Sequence, residues 1–196
     1  VWAANLAAIE LHAPMALGAD LDTPRTLVFD FDPGPRTSIV DCCEVALGVR
    51  TVLDSVDLEG RCKTSGSKGL QLYVPLNSPG ITHEATADFA LAVGQVMERR
   101  LPGRVTTVMA KAERPGKVFV DWSQNAHHKT TIAPYSLRAR HDPTVSTPVR
   151  WDEVERCAGD GVELRFESAD VLARVDEFGD LFAPVLTLRQ ALPTAS

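Results

Sequence analysis

Two aspartates separated by one residue follow a short apolar run early in the chain. Residues 27–29 lead into Asp30, Phe31 and Asp32, and a turn rich in proline and glycine follows at 33–35. On a strand, side chains at i and i+2 project to the same face, so the two carboxylates would lie together and Phe31 would face the core. Two like charges held together are costly unless a cation neutralises them, and hard oxygen ligands suit Mg²⁺ or Mn²⁺.

A third carboxylate, Asp121, ends a second apolar run at 118–120. Three carboxylates can hold two divalent ions about 3.5 to 4 Å apart, which activate an attacking 3′-hydroxyl and hold the pyrophosphate that leaves from a triphosphate. A D-x-D pair that only caps a turn is the structural alternative. Metal-dependent hydrolases and glycosyltransferases also use such pairs, so the motif alone does not decide between these readings.

Cationic side chains are concentrated in the middle of an acidic chain. The formal net charge is -6, yet residues 104–150 carry eight lysines and arginines against three acidic residues. Such a stretch suits a triphosphate or a phosphate backbone, because charge acts over a Debye length of about 8 to 10 Å. A solvated basic face explains it equally well. Arg114 and Lys117 precede the third aspartate across a Pro-Gly turn and could flank its site, and Lys129 and Arg138 extend the set.

A turn of small residues at 64–69 carries a hydroxyl at Ser65 and an ammonium at Lys68. Exposed backbone amides, a hydroxyl and one cation suit phosphate oxygens. The spacing of a P-loop is absent, so the turn is a weak signal by itself.

The segments that position these residues alternate between strand and helix patterns. The sequence predicts a strand at 27–32, a helix from Ser38 to Leu53, a hairpin of 61–65 and 70–76, a helix at 83–101, a hairpin of 105–109 and 118–122, an extended segment at 125–149 and a helix at 168–182. This order favours an α+β (mixed α/β) fold with a largely antiparallel sheet flanked by helices. The last helix carries an apolar stripe that we expect to be buried. Its members are Val171, Leu172, Val175, Phe178 and Phe182.

Length and composition favour one domain over residues 1–196, since 196 residues with 44% hydrophobic content suffice for a single core. No apolar run approaches the roughly 20 residues of a membrane span, and the start lacks the pattern of a signal peptide. We therefore expect a cytoplasmic protein with no membrane partner. The chain begins at Val1 without an initiating methionine, so we expect an amino-terminal portion of the parent chain to be missing.

The cysteines lack metal-binding spacing and are expected to be reduced, packed thiols. They are Cys42, Cys43, Cys62 and Cys157.

Four segments occur in an order that carries more information than any one of them. They are VFDFDPG at 28–34, TSGSKGLQLYVPL at 64–76, GKVFVDWSQN at 116–125 and KTTIAPYSLR at 129–138. Together they resemble the polymerase module of bacterial DNA ligase D, in the archaeo-eukaryotic primase superfamily, and its free-standing mycobacterial-type relatives. The resemblance implies a primase-polymerase-like catalytic core.

This resemblance implies template-directed nucleotidyl transfer that fills gaps and extends ends in non-homologous end joining. It also implies a preference for Mn²⁺ and for ribonucleotides. The implied substrates are NTPs or dNTPs together with DNA primer-templates or DNA ends. The implied partners are Ku and a DNA ligase, at the bacterial nucleoid. Asp30, Asp32 and Asp121 match the catalytic metal carboxylates. The expected nucleotide-binding residues are His12, Ser65, Lys68, Gln71, Arg114, Lys117 and Arg138. Lys129 and Arg140 are expected to contact DNA.

Two departures from the family pattern affect these expectations. Gln71 stands where the family usually has a histidine, and an amide can donate a hydrogen bond but cannot supply the charge of an imidazolium. We expect weaker triphosphate binding or slower transfer. The family's basic residues for a downstream 5′-phosphate would also precede Val1. An alternative prediction is therefore a nucleotide- or DNA-end-binding module of the same fold with attenuated chemistry.

Overall fold

The structure, a computed structural model, describes residues 2–141 and 143–193 of the chain. Within these ranges the strands are β1 (His12–Pro14), β2 (Ala16–Leu17), β3 (Asp20–Pro24), β4 (Thr26–Pro33), β5 (Arg61–Thr64), β6 (Leu70–Pro75), β7 (Val105–Thr106), β8 (Val118–Asp121), β9 (Thr130–Ile132) and β10 (Pro148–Val149). The helices are α1 (Trp2–Asn5), α2 (Ile39–Asp54), α3 (His83–Arg100), α4 (Trp151–Asp160), α5 (Ser168–Phe178) and α6 (Pro184–Thr187). Short 3-10 helices occur at Lys111–Glu113 and Trp122–Asn125.

A six-stranded sheet in the order β10-β5-β6-β4-β8-β7 forms the centre of the fold. Its neighbouring strands are antiparallel except for β7 and β8. Two smaller ladders, β1 with β9 and β2 with β3, lie outside it. The predicted α+β class with a largely antiparallel sheet is confirmed, and so is the hairpin formed by β5 and β6.

The predicted second hairpin is wrong, because β7 runs parallel to β8. The register pairs Val105 with Val118 and Thr106 with Phe119. On its other side β8 pairs antiparallel with β4. An apolar run indicates a strand but not its direction, and the segment between β7 and β8 is long enough to cross back to the same end of the sheet.

Helix α2 begins where the sequence predicts and packs one face on the sheet. Ser38 and Asp41 form a capping box, in which the Ser38 amide donates to Asp41 Oδ2 at 2.8 Å and the Val40 amide donates to Ser38 Oγ at 3.2 Å. The buried residues of the helix are Cys42, Cys43, Val45, Ala46, Val49 and Leu53. They join Phe29 and Phe31 of β4 in the main core. All four cysteines of the chain are free and buried, as predicted.

The last predicted helix is shorter and less buried than its apolar stripe suggested. Helix α5 ends at Phe178 because Gly179 adopts a φ of 70°. Val171 is 7% exposed, but Leu172 is 68% exposed and Val175 is 39% exposed. The expectation that the whole stripe is core is therefore wrong. The helix lies at the surface and buries only a narrow strip of its face.

Helix α4 was not predicted from the sequence. Its first turn is capped by Glu153, whose Oε2 accepts a hydrogen bond from the Arg150 amide at 2.8 Å. Gly161 ends the helix in the left-handed conformation. Across the described ranges, the helices all fall short of the combined length and apolarity that a membrane crossing requires.

Candidate active site

Four side chains form a row across neighbouring strands of the central sheet. The register places Lys63 on β5 opposite Gln71 on β6, Gln71 opposite Asp30 on β4, and Asp30 opposite Asp121 on β8. Directly opposed residues of antiparallel strands point to the same face and lie about 5 Å apart. Two of the predicted metal carboxylates, distant in sequence, are therefore neighbours in the fold.

Asp32 belongs to the same acidic cluster, because it lies two residues beyond Asp30 on β4. Burial raises the pKa of Asp30 to about 7, and the nearby Asp32 and Asp121 charges add to the effect. Burial and the Asp121 charge also raise the pKa of Asp32, against an opposing influence of Arg114. The cluster therefore holds carboxylates that repel one another in a poorly solvated place. Its donor set fits hard divalent cations, which would remove that repulsion.

The Asp121 carboxylate is engaged with its own chain. Its Oδ1 accepts from the Ser123 amide at 3.0 Å and the Ser123 hydroxyl at 2.6 Å, and its Oδ2 accepts from Gln124 Nε2 at 3.2 Å. These hydrogen bonds cap the 3-10 helix that follows β8. In this arrangement, and within 2–141 and 143–193, no three His, Cys, Asp or Glu side chains converge as a metal site. If Asp121 bound a metal ion, its carboxylate would give up some of its hydrogen bonds with Ser123 and Gln124.

A cleft of about 400 Å³ opens beside the acidic cluster. The predicted site residues that line it are His12, Asp30, Asp32, Ser65, Lys68, Gln71, Arg114 and Arg138. The lining also includes residues that sequence reasoning missed, among them Ser67, Gln124, Thr130 and Thr131. Strand pairing explains the missed threonines, because β9 pairs with β1 and so brings its residues beside His12. We call this space the nucleotide cleft, after the ligand that the sequence resemblance predicts for its residues.

Four predicted residues are not among those that line the nucleotide cleft: Asp121, Lys117, Lys129 and Arg140. Lys117 faces Glu113 at 3.8 Å. Arg140 donates to Ser67 Oγ at 2.5 Å and so lies at the rim of the cleft. Lys129 immediately precedes β9, whose three residues line the cleft.

Two arginines on different segments supply positive charge to the nucleotide cleft. The Arg114 guanidinium stacks 3.7 Å from the Phe119 ring centre and donates to the Met109 carbonyl at 2.8 Å. Arg138 donates to the Ser65 carbonyl at 3.3 Å. Both guanidinium groups are therefore held against the protein with their charge towards the cleft, as expected for groups that bind phosphate oxygens.

Glu10 is a site residue that sequence reasoning missed. Its Oε1 accepts from the Ala139 amide at 2.9 Å and lies 3.3 Å from Arg138 Nε, while its Oε2 lies 3.5 Å from His12 Nε2. The hydrogen bond from Ala139 and the Arg138 charge lower the pKa of Glu10 despite its desolvation. One carboxylate thus ties together two residues of the cleft wall. Its place two residues before His12 was the available signal.

The small-residue turn between β5 and β6 is ordered by its own serine. Ser65 Oγ accepts from the amides of Ser67 and Gly69, at 3.2 and 3.1 Å. These two amides are therefore not exposed for phosphate, contrary to expectation. A Cβ on Gly69 would approach the Phe31 carbonyl oxygen to 2.4 Å, so only glycine allows the turn to pack on the end of β4. This contact holds Lys68 beside the acidic cluster.

Lys63 and Gln71 complete the row at the side away from Asp121. Lys63 is fully buried, and its ammonium donates to Gln71 Oε1 at 2.5 Å and to Ser146 Oγ at 2.8 Å. A hydrogen bond from Gln71 lowers the pKa of Asp30, against the larger effect of burial. Burial lowers the pKa of Lys63 to about 7, opposed by the Asp30 charge. The register of β5 on β6, which the sequence does not reveal, places Lys63 here.

An acidic cluster at the centre of a mainly antiparallel sheet, next to a cleft with cationic walls, is the arrangement that the resemblance to a primase-polymerase type of core predicts. A family model described as "LigD, primase-polymerase domain" matches residues 1–182. The chain belongs to this family of LigD primase-polymerase domains.

Known proteins similar to this chain carry the same assignment. The chain is 47% identical over 186 residues to the multifunctional non-homologous end joining protein LigD of Mycolicibacterium smegmatis, covering 94% of this chain and 24% of that protein. It is 33% identical to the bifunctional LigD of Bacillus subtilis, covering 79% of this chain and 25% of that protein. The chain thus spans about a quarter of the length of these relatives. A solved polymerase domain of Mycobacterium tuberculosis ligase D in complex with DNA superposes with a TM-score of 0.85 at 41% identity, covering 94% of this chain and 65% of that one.

Proposed function

We propose that the chain is a template-directed nucleotidyltransferase core that adds nucleotides, preferentially ribonucleotides, to DNA 3′ ends during bacterial non-homologous end joining. The observation that carries the proposal is the register that sets Asp121 opposite Asp30, beside a cleft with cationic walls. Family membership and the likeness to a domain solved with DNA support it. The reaction fills gaps and extends ends.

Asp30, Asp32 and Asp121 would hold two divalent ions, Mn²⁺ or Mg²⁺. When bound, such ions neutralise developing charge and activate the primer 3′-hydroxyl. The mutual repulsion of the carboxylates, seen in the raised pKa values of Asp30 and Asp32, supports a cationic occupant. The three aspartates would therefore serve as ligands, and the fold contributes the pairing of Asp30 with Asp121 on neighbouring strands.

The remaining cleft residues bind and orient the triphosphate. Lys68, Arg114 and Arg138 would neutralise phosphate charge, and His12 and Gln71 would donate hydrogen bonds to it. Ser65 and Lys117 are proposed to assist from the turn and the cleft edge. Catalysis then comes mainly from positioning and from preorganised positive charge.

The partners follow from the same proposal. Lys129 and Arg140, at the end and rim of the nucleotide cleft, would contact the DNA backbone, where each cation contributes mainly through charge. Ku and a DNA ligase are proposed partners in the cytoplasm, because the similar proteins are end-joining proteins. Residues 1–196 would act as one catalytic domain.

Primer extension on a templated DNA substrate, with Mn²⁺ and separate ribo- and deoxyribonucleotide reactions, tests the proposal. Asp32→Ala and Asp121→Ala should each reduce extension by about 10³-fold or more, because charge stabilisation of this kind is worth several kcal/mol. Asp160→Ala, an exposed aspartate at the end of α4, is the matched control and should extend like the parent. Undiminished extension by either site variant contradicts the proposal. Faster deoxyribonucleotide incorporation contradicts the sugar preference.

A second candidate is a nucleotide- or DNA-end-binding module with attenuated chemistry. The cap hydrogen bonds of Asp121 and the uncharged amide of Gln71 favour it. Nucleotide binding by calorimetry, without incorporation and without a gain from Gln71→His, would support this candidate over the first.

A further inference from the structure

A buried lysine lies two strands away from Asp30, and its hydrogen-bond acceptors among the described residues are neutral groups. The Lys63 ammonium has no exposed surface, and its two hydrogen-bond acceptors are the Gln71 amide oxygen and the Ser146 hydroxyl. The Tyr73 ring lies 5.5 Å from it. Burying an ammonium among neutral partners is expensive, and buried charges of this kind are frequently kept for function rather than for stability.

The Lys63 hydrogen bond determines which way the Gln71 amide points. An amide has a donor end and an acceptor end, whereas an ammonium can only donate. The Gln71 atom that faces Lys63 is the oxygen, which leaves the NH₂ group of Gln71 on the side of Asp30, its partner on the next strand. Asp30 and Gln71 are directly opposed on their strands, and the Gln71 amide lowers the pKa of the Asp30 carboxyl, as a donor that faces it would. We call this series the donor chain, in which Lys63 donates to Gln71 and Gln71 lies opposite Asp30.

We propose that Lys63 is a positioning residue, which locks the Gln71 amide with its donor end towards Asp30 and so orients the Asp30 carboxylate for nucleotidyl transfer. The inference rests on the proposed function and adds a residue to it. Lys63 does not belong to the residues that line the nucleotide cleft, so it acts through Gln71 and not on the substrate.

The chemistry of residue 71 decides how much Lys63 matters. Without Lys63, the Gln71 amide can rotate and present its oxygen to the Asp30 carboxylate, which is repulsive. An imidazolium donates from both ring nitrogens, so a histidine at this position needs no partner to orient it. The effect of removing Lys63 should therefore be large with glutamine and small with histidine. A lysine that only supports the fold would produce the same loss with both.

A double-mutant cycle measures this dependence. The parent, Lys63→Met, Gln71→His and the double variant are compared by steady-state incorporation of one nucleotide. Lys63→Met should lower kcat about tenfold or more in the parent background and less than about threefold in the Gln71→His background, as one lost charge-assisted hydrogen bond implies. KM for the nucleotide should change less than about threefold. Equal losses of kcat in the two backgrounds overturn the proposal.

Arg174→Met provides the matched control, because Arg174 is a second largely buried cation and is not among the residues that line the nucleotide cleft. It should lower the melting temperature without any dependence on residue 71. Melting temperatures of all variants separate loss of kcat from loss of folded protein. A dependence of the Arg174→Met effect on residue 71 equal to that of Lys63→Met would also overturn the proposal.

Nuclear magnetic resonance of the parent chain tests the lock without any substitution. The hydrogens of the Gln71 side-chain NH₂ should exchange slowly with solvent. The chemical shift of the Gln71 side-chain carbonyl carbon should report the hydrogen bond from the Lys63 ammonium. Rapid exchange and free rotation of that amide overturn the proposal, even if Lys63→Met does not fold. If the parent incorporates no nucleotide while the amide is locked, the proposed function fails and the donor chain remains.

Discussion

Two buried charged groups in this molecule are built on opposite plans. In the central sheet, Gln71 lies between Lys63 and Asp30, and Asp30 faces a further aspartate on the next strand. Between α4 and α5, Arg174 and Glu153 form a two-pronged ion pair with N–O distances of 2.6 and 2.8 Å. In the first group the carboxylates have no directly bonded cation among the residues that the structure describes, whereas in the second the carboxylate and the guanidinium bond each other.

The pKa values of the two acids show what the difference does. Burial raises the pKa of Asp30 to about 7, because two nearby carboxylates add to desolvation. Burial also acts upward on Glu153, but hydrogen bonds from Arg174 and the Arg150 amide outweigh it and lower the pKa of Glu153. A closed ion pair stabilises one folded arrangement. An unmatched acidic cluster is instead ready for a cationic ligand, which is a property of a functional site.

Asp30→Asn gives the largest expected effect, because it removes a charge from the unmatched group. Primer extension should fall by about 10³-fold or more. The melting temperature in chelator should stay level or rise, since a buried repulsive charge is lost. Asp160→Asn is the surface control and should change neither quantity. Extension within tenfold of the parent would place Asp30 outside the catalytic machinery.

Arg174→Met breaks the closed pair and should have the opposite outcome. Leaving Glu153 buried without its partner should lower the free energy of unfolding by about 3 kcal/mol. Urea unfolding measures the loss, and primer extension by the remaining folded protein should match the parent. Adding Glu153→Leu should recover part of the stability, because it removes the stranded charge. A drop in activity without a drop in stability would show that the two groups are not separate in role.

The acidic residues of the central sheet could be predicted from the sequence, whereas the ion pair of Arg174 and Glu153 could not. Asp30 and Asp32 were recognisable because their i, i+2 spacing has a meaning on any strand, and Asp121 because it ends an apolar run. Ser38 was recognisable as a helix cap for the same local reason. Each of these signals lies within a few residues, where backbone geometry alone determines what the side chains can do.

The other features depend on pairing between distant segments. Lys63 reaches Asp30 only through the register of β5 on β6, and Glu10 reaches Arg138 only because β1 pairs with β9. The direction of β7 and the surface position of α5 have the same origin. Apolar patterns indicate that a segment is buried somewhere, but they do not show against which partner or in which direction it lies.

The two groups should also differ in how they make the free energy of unfolding depend on pH. Because the pKa of Asp30 rises from 3.8 to about 7 on folding, the native state keeps a proton that the unfolded chain loses. Stability should therefore fall as pH rises from about 4 to 7, by about 4 kcal/mol for this group, since one pKa unit is worth about 1.4 kcal/mol. The lowered pKa of Glu153 contributes stability that is lost only as pH falls below its ordinary range.

Chemical unfolding at pH 5 and pH 7 in chelator isolates the Asp30 contribution. Asp30→Asn should reduce the difference in free energy of unfolding between the two pH values, because its amide does not titrate. Arg174→Met should leave that difference nearly intact. A parent chain that is more stable at pH 7 than Asp30→Asn is at that pH would show that the Asp30 charge is better matched than its pKa indicates.

The smallest expected effect concerns the helix that carries Arg174. Leu172 on α5 is 68% exposed, so Leu172→Lys should change the free energy of unfolding by less than about 0.5 kcal/mol. Its neighbour Val171 is 7% exposed, and Val171→Lys should cost about 2 kcal/mol or more, because it buries an unpaired ammonium. Urea unfolding compares the two. Equal losses in the free energy of unfolding would mean that both faces of α5 are buried. The ion pair of Arg174 and Glu153 would then lie further from solvent than the exposure of Leu172 indicates.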